Sequence, residues 1–526
     1  MARTHRSRTR AFGVVLLALG AAGPTDAQIA SPLFLPPVVY DSGGSSPMSV
    51  AIGDLNGDDS PDIVVANAFS NSVAVLINNG DATFRPAAAY PAGGVVANAV
   101  ATADVNADAN VDVLVAIRGA EAVACKGLVG VFLGNGDGTL RDATTYASGG
   151  DVGWSVASAD VNRDGSLDVL VVNEGSSTVG VLLGNGQGGF QPAALYESGG
   201  GSPRSIAVGD VNGDGNLDLA VANRCSGAVG CSSSGGIGVL QGNGDGTFEP
   251  AVSLGSGGDG PVSIRMSDVN GDARLDLVVA NACPLDGVSC PTGNLGLLLG
   301  HGDGTFANPI NYGATGLGTR STAVADVNGD GRLDLLASSL CSPARCQEGV
   351  VDVFLAHAGS TFRFSGSYHT GAFGAASIAV ADLNGDDGLD VVAANEWCGG
   401  AVCNGTVGVL VNRILAARIG VEHGGLVSRV NVRSNARLFV VLFASDDFEV
   451  SGVDPATVRF GPAGAHPVRV HRKDFDRDGR LDVAFHFVAK ESGIACGDST
   501  AALTGSTKEG ARFRGMDAIV TVGCDR

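Results

Sequence analysis

Apolar and polar positions alternate along most of this chain in short runs at strand spacing. Around Asp210 the chain reads SIAVGD, an acidic loop, LDLAVAN, a second loop, GIGVLQGNGDGTF and EPAVSL. Four runs of four to eight β-favouring residues, parted by Gly, Asn and Asp turns, predict four short strands. No ten-residue helical period intervenes, so no helix is predicted.

The same unit recurs. DVNGDGNLD at 210–218 returns as DLNGDDSPD from Asp54, DVNADANVD from Asp104, DVNRDGSLD from Asp160, DVNGDARLD from Asp268, DVNGDGRLD from Asp326 and DLNGDDGLD from Asp382, with offsets of 50, 56, 50, 58, 58 and 56 residues. A glycine-rich motif keeps step: GNGDGTL from Gly134, GNGQGGF from Gly184, GNGDGTF from Gly242 and GHGDGTF from Gly300, with weaker forms ending at Phe84 and Phe362. Two motifs in register over seven units of four strands predict an all-β, seven-bladed β-propeller.

An acidic loop, then a strand, then a glycine-rich turn before Phe resembles the FG-GAP or VCBS repeat of integrin α-subunit propellers and of many secreted bacterial proteins. The resemblance covers roughly residues 32–413. It implies that the acidic loop joins the innermost strand of each blade to the second. With that phasing the seventh unit ends after its third strand at Val407–Val411. The segment Leu33-Phe34-Leu35-Pro36-Pro37-Val38-Val39-Tyr40 matches the fourth-strand segments FRPAAAY and FQPAALY, so the N-terminal strand is expected to complete the last blade.

Oxygen donors at loop positions 1, 3 and 5, the carbonyl of position 7 and a further carboxylate are what a hard cation of Ca²⁺ size requires. Here the last carboxylate is Asp at position 9, as in the resembled propellers. The candidate ligands are Asp54, Asn56, Asp58 and Asp62; Asp104, Asn106, Asp108 and Asp112; Asp160, Asn162, Asp164 and Asp168; and Asp210, Asn212, Asp214 and Asp218. The later loops supply Asp268, Asn270, Asp272 and Asp276; Asp326, Asn328, Asp330 and Asp334; and Asp382, Asn384, Asp386 and Asp390. An eighth copy outside the propeller, DFDRDGRLD, offers Asp474, Asp476, Asp478 and Asp482. Gly165, Gly215 and Gly331 suit a sharp turn at position 6, whereas Ala109 and Ala273 would be strained if φ there is positive, so the loops at Asp104 and Asp268 are expected to bind most weakly. The plain alternative is an acidic turn that needs no metal. Against it, the eight loops hold 27 of the 54 acids, and without cations each loop would repel itself by several kcal/mol even at an effective dielectric of ~20.

Composition narrows the class. The 526-residue chain has 80 glycines, 44% hydrophobic residues and 17% charged ones, which argues for a large core and against disorder. The formal net charge of −21 excludes a nucleic-acid binder, which needs the opposite sign. Four arginines ahead of the apolar run Ala11–Ala22, with small residues near Ala27, read as a secretory leader at 1–27. Its removal takes away four Arg and one Asp and leaves −24. No apolar stretch of eighteen residues follows, so no membrane span is expected. Eleven cysteines in an exported chain predict disulfides: Cys225 with Cys231, Cys283 with Cys290, Cys341 with Cys346, Cys398 with Cys403, and Cys496 with Cys524, leaving Cys125 over. The expected domains are therefore the leader, a propeller at 28–413, and a β-rich unit at 414–526, read as a small β-sandwich. In that last unit DPATVRFGPAGAHPV resembles a C-terminal module of many exported bacterial proteins.

Successive loops of a propeller alternate between its two faces. The acidic loops and glycine-rich turns should share one. The other varies from blade to blade and offers Phe69, Arg118, Trp154, Glu174, Arg204, Arg224, Arg320, Arg345, Glu396 and Trp397. Asn67, Asn173, Asn223, Asn281 and Asn395, at the ends of second strands, read as side-chain turn caps rather than sugar ligands. None of the eight histidines has zinc-site neighbours, and neither a G-x-S-x-G elbow nor a P-loop occurs. The chain is thus expected to be a secreted or cell-surface, Ca²⁺-binding, monomeric binding or adhesion module for an extracellular protein or glycan. The alternative is an extracellular hydrolase or lyase acting on polysaccharide or ester substrates. Converging carboxylates or a perturbed His at the channel mouth would favour the enzyme, and a shallow surface bearing Arg and Trp the binder.

Overall fold

The computed structural model describes residues 32–522 except 120–124, 226–233, 283–291, 343–345, 358–359, 398–404, 422–427, 434, 436, 446–447 and 509–511. The expected leader, Arg345 and Cys231, Cys283, Cys290, Cys398, Cys403 and Cys524 lie outside the described residues. Residues from Pro32 on form one compact unit.

Seven four-stranded antiparallel sheets follow one another along the chain. In the fourth blade the strands are Gly201–Gly209, Asp218–Cys225, Ser234–Leu240 and Val252–Gly255, paired in that order. The innermost strands Pro47–Gly53, Ala97–Ala103, Gly153–Ala159, Gly201–Gly209, Pro261–Ser267, Leu317–Ala325 and Phe373–Ala381 each touch the next, and the last touches the first, so the ring is closed. Each second strand lies between two neighbouring blades and has both faces covered. That is why Asp168–Asn173 (DVLVVN) and Asp276–Asn281 (DLVVAN) are buried at every position and read as unbroken apolar runs instead of alternating ones.

The N-terminal strand closes the seventh blade as expected. Val38–Asp41 pairs antiparallel with Thr406–Leu410, Val38 opposite Val409. Leu33 and Phe34, each 2% exposed, extend the join; the Leu35 N–H donates to the Val411 carbonyl and the Arg413 N–H to that of Leu33. Aromatic pairs tie blade to blade at the rim, a tyrosine of one outermost strand meeting the phenylalanine of the next blade's turn edge-on: Tyr40 with Phe84, Tyr146 with Phe190, Tyr196 with Phe248.

The other end of five blades is fastened by the strand-ending asparagines. Asn67, Asn173, Asn223, Asn281 and Asn395 donate through Nδ2 to the carbonyls of Ser42, Ser148, Ser198, Ser256 and Thr370, which lie in or just after the preceding outermost strand. Where turn caps were expected, these asparagines are buried tethers between neighbouring blades. The same carbonyls explain a glycine in the third strand: a Cβ on Gly180 would lie 2.1 Å from Ser148 O, so only glycine lets that strand pass.

Beyond the ring, Arg418–Val421, Arg437–Phe443, Asp482–Val488 and Arg469–Lys473 form one sheet, and Leu415–Ala416, Arg512–Val522, Thr500–Ser506 and Arg459–Phe460 another. Their shared core includes Val440, Phe460, Phe485, Phe487 and Phe513, the arrangement of a small β-sandwich. Cys341 and Cys346 are bonded to each other; Cys225 and Cys496 are also in disulfides, and Cys125 is a free thiol.

Candidate functional sites: the acidic loops and the channel mouth

The seven acidic loops are built alike, with the ninth-position aspartate as hub. Asp62, Asp112, Asp168, Asp218, Asp276, Asp334 and Asp390 are all fully buried. In the fourth loop, Asp218 Oδ2 accepts the Val211 N–H at 3.0 Å and Oδ1 the Gly242 N–H at 2.8 Å, holding the loop to the turn of its own blade. Asp210 accepts the N–H groups of Gly213 and Gly215, and the Asp214 N–H donates to Asn212 Oδ1. The next blade's glycine-rich turn backs this cradle, the Gly304 N–H donating to the Val211 carbonyl. Equivalent bonds run from Gly138 to Leu55, Gly188 to Val105, Gly246 to Val161 and Ala82 to Leu383. Loops and turns therefore share one face, and these five loops each sit at a junction of two blades.

Backbone geometry explains the motif's spacing. Position 6 is left-handed in every loop, with φ of 65° at Asp59, 66° at Ala109, 65° at Ala273, 66° at Asp387 and 82° at Gly215. Ala109 and Ala273 thus adopt a conformation that opposes their Cβ. Position 4 is left-handed as well, at Ala107 (56°), Arg163 (60°) and Gly213 (75°). The sequence reading missed this second constraint, although the glycine of D-x-N-G carries it.

Charge within a loop is unevenly settled. The exposed Asp58, Asp108, Asp164 and Asp214 are held below the usual carboxylate range, chiefly by the N–H two residues on. The hubs go the other way. Burial, opposed by their two N–H bonds and reinforced by the loop's other aspartates, pushes Asp62 and Asp276 up to about 6 and Asp334 and Asp390 up to about 7. A buried carboxylate short of positive charge, ringed by oxygen donors, fits a hard divalent cation, which would supply that charge and hold the donors together.

The carboxylates do not converge equally. Among the described residues only Asp474, Asp476 and Asp482 bring three such oxygens within 4.8 Å of one another. In the ring loops position 3 is Asn, whose amide draws the position 5 carboxylate aside, as in Asn212 Nδ2 to Asp214 Oδ2 at 3.0 Å. In the sixth loop Arg332 also pairs with Asp330 at 2.5 Å. The eighth loop repeats the hub, with Asp482 accepting the N–H groups of Phe475 and Ala444, and Arg418 pairs with Asp476. Arg512 and Arg514 of the sandwich reach the seventh loop, donating to the carbonyls of Asp387 and Asp386.

The opposite face opens into the central channel. Every innermost strand carries a register shift near its start, and the residue at each shift lines one cavity of about 670 Å³: Met48, Asn98, Trp154, Arg204, Val262, Arg320 and Ala376. A bulge re-aims a side chain without unpicking the sheet. One residue further on stands a belt of serines that joins the strands: the N–H groups of Val100, Ile264, Thr322, Ile378 and Val50 donate to Oγ of Ser49, Ser205, Ser263, Ser321 and Ser377.

The expected partner-face residues divide. Trp154, Arg204, Arg224, Arg320 and Glu396 line the cavity, and Glu174 pairs with Arg204. Phe69, 76% exposed, and Arg118 are outside its lining, and the side chain of Trp397 is outside the description. Arg265, three residues beyond the bulge of its strand, also lines the cavity and was not anticipated. The Arg- and Trp-bearing part of this face forms a recess of about 670 Å³. Among the described residues its lining contains neither His nor Asp; Glu396 faces Arg320 at 3.9 Å.

Arg204 lies 3.6 Å from the centroid of the Trp154 ring. Burial pulls it down to about 10 against the pull of Glu174, with Arg224 and Arg320 adding to the fall. Burial lowers Arg320 and Arg265 too.

Residues 54–115, 122–171, 160–221, 228–279 and 285–337, together just over half of the chain, match a family described as FG-GAP-like repeat. No curated protein matches the chain.

Proposed function

The chain belongs to the FG-GAP-like repeat family, and from that premise we propose that it is an exported, calcium-stiffened binding module whose varied channel face grips an extracellular protein or glycan. The observation that carries the reading is the pairing of one buried, charge-deficient aspartate per blade with a loop backed by the neighbouring blade. Ca²⁺ at the loop oxygens of positions 1, 3, 5 and 9 would neutralise each cradle and lock two blades at once. The Cys341–Cys346 disulfide supports an oxidising location and stiffens the rim, which lowers the entropic cost of engaging a partner. Among the described residues no helix is long and apolar enough to cross a membrane.

Calorimetric titration of chelated protein with Ca²⁺ should show uptake of several ions, and chelation should lower Tm by ten degrees or more. No heat of binding and an unchanged Tm would remove the calcium reading. A glycan and protein array probed with and without Ca²⁺ should return a Ca²⁺-dependent ligand; an array blank under both conditions would remove the binding reading.

A further inference from the structure

A chain of net charge −21 places four arginines, Arg204, Arg224, Arg265 and Arg320, around one recess. Among the described residues two carboxylates pair with them, Glu174 with Arg204 at 2.5 Å and Glu396 at 3.9 Å from Arg320. Among the described residues Arg224 and Arg265 form no ion pair. Among the described residues the Arg265 guanidinium donates to the carbonyl of its neighbour Ile264, at 2.9 Å. The Nε–H donors of Arg204 and Arg320 are buried with no acceptor. Arg265 is half-buried and lines the recess. Buried guanidinium groups in excess of their partners are costly to fold around, and an incoming anion would complete them.

Resting on the binding-module reading, we propose that the channel mouth is a recognition site for an acidic saccharide unit, a uronate or sulfated sugar. Arginine forks match the geometry of carboxylate and sulfate oxygens. The belt serines and Asn98 suit sugar hydroxyls, and Trp154 with Phe373 supplies apolar surface for a ring face. A volume of about 670 Å³ suits one or two sugar rings, and a closed ring of blades admits a chain end more readily than the flat flank of a protein.

Full-length Ca²⁺-loaded protein is titrated with trigalacturonate, a sulfated chondroitin disaccharide, neutral cellotriose and inorganic sulfate, followed by calorimetry and by intrinsic tryptophan fluorescence. The acidic saccharides should bind, more weakly as salt rises, and cellotriose should not. Arg265→Met and Arg224→Met should each weaken binding at least tenfold. Tm in these variants should hold or rise, because each removes an uncompensated charge; a variant that did not fold would leave Arg224→Lys, expected to bind severalfold more weakly at unchanged Tm, as the deciding case. Equal affinity for cellotriose, or wild-type affinity in all the variants, would overturn the proposal, and sulfate binding as tightly as the saccharides would reduce the site to an anion hole. If the array returns a protein or a neutral glycan while the acidic saccharides fail, this site assignment falls and the binding module stands.

Discussion

Ala109 and Ala273 hold left-handed positions where other loops place glycine or aspartate, with φ of 66° and 65°. An L side chain in that region costs roughly 1–2 kcal/mol, while glycine adds ~0.5–1 kcal/mol of unfolded-chain entropy to be lost. Ala109→Gly and Ala273→Gly should therefore each stabilise the chelated protein by up to about 1 kcal/mol in equilibrium urea unfolding. A loss of stability would show that the alanine Cβ is not under strain. This constraint was legible in the sequence, because glycine recurs at that position. The channel arginines were only half legible. Arg204 and Arg320 stand just ahead of an apolar run and look like loop-edge residues, but nothing in the pattern shows that a bulge turns them inward. Arg265 sits inside such a run, where periodicity gives no reason to single it out.

At the scale of the strand, the repeat told nearly everything. Motif spacing set the hairpins, and the likeness of the first segment to other outermost strands foretold its pairing with Thr406–Leu410. Deleting residues 32–41 should leave that strand as an exposed edge, strip the cover from Leu410 and Val409, and remove the strand that ties the two ends of the ring into one blade. A fall in Tm of several degrees and concentration-dependent association in light scattering are expected. A truncated chain that stays monomeric with an unchanged Tm would mean that the strand is dispensable. The seven register shifts were not legible, because a bulge inserts one residue without altering composition.

Across the whole molecule, the sandwich meets the ring through Arg512 and Arg514 at the seventh acidic loop. No motif announces that contact, since two arginines in a strand look like any solvated face. Exposed contacts of this kind contribute ~0–1 kcal/mol each, so Arg512→Ala with Arg514→Ala should leave the ring's melting almost unmoved. Limited proteolysis should nonetheless release a fragment beginning near residue 414 several times faster than from the parent; equal rates would show that the two arginines do not fasten the sandwich. The pairing of Val38 with Val409 also sets an order of events. A chain emerging amino end first carries its opening strand unmatched until the last blade has been made. Closure of the ring waits for its first strand to meet its last blade, and in pulse-labelled hydrogen exchange the amides of Val39 and Tyr40 should be among the last of the ring to become protected.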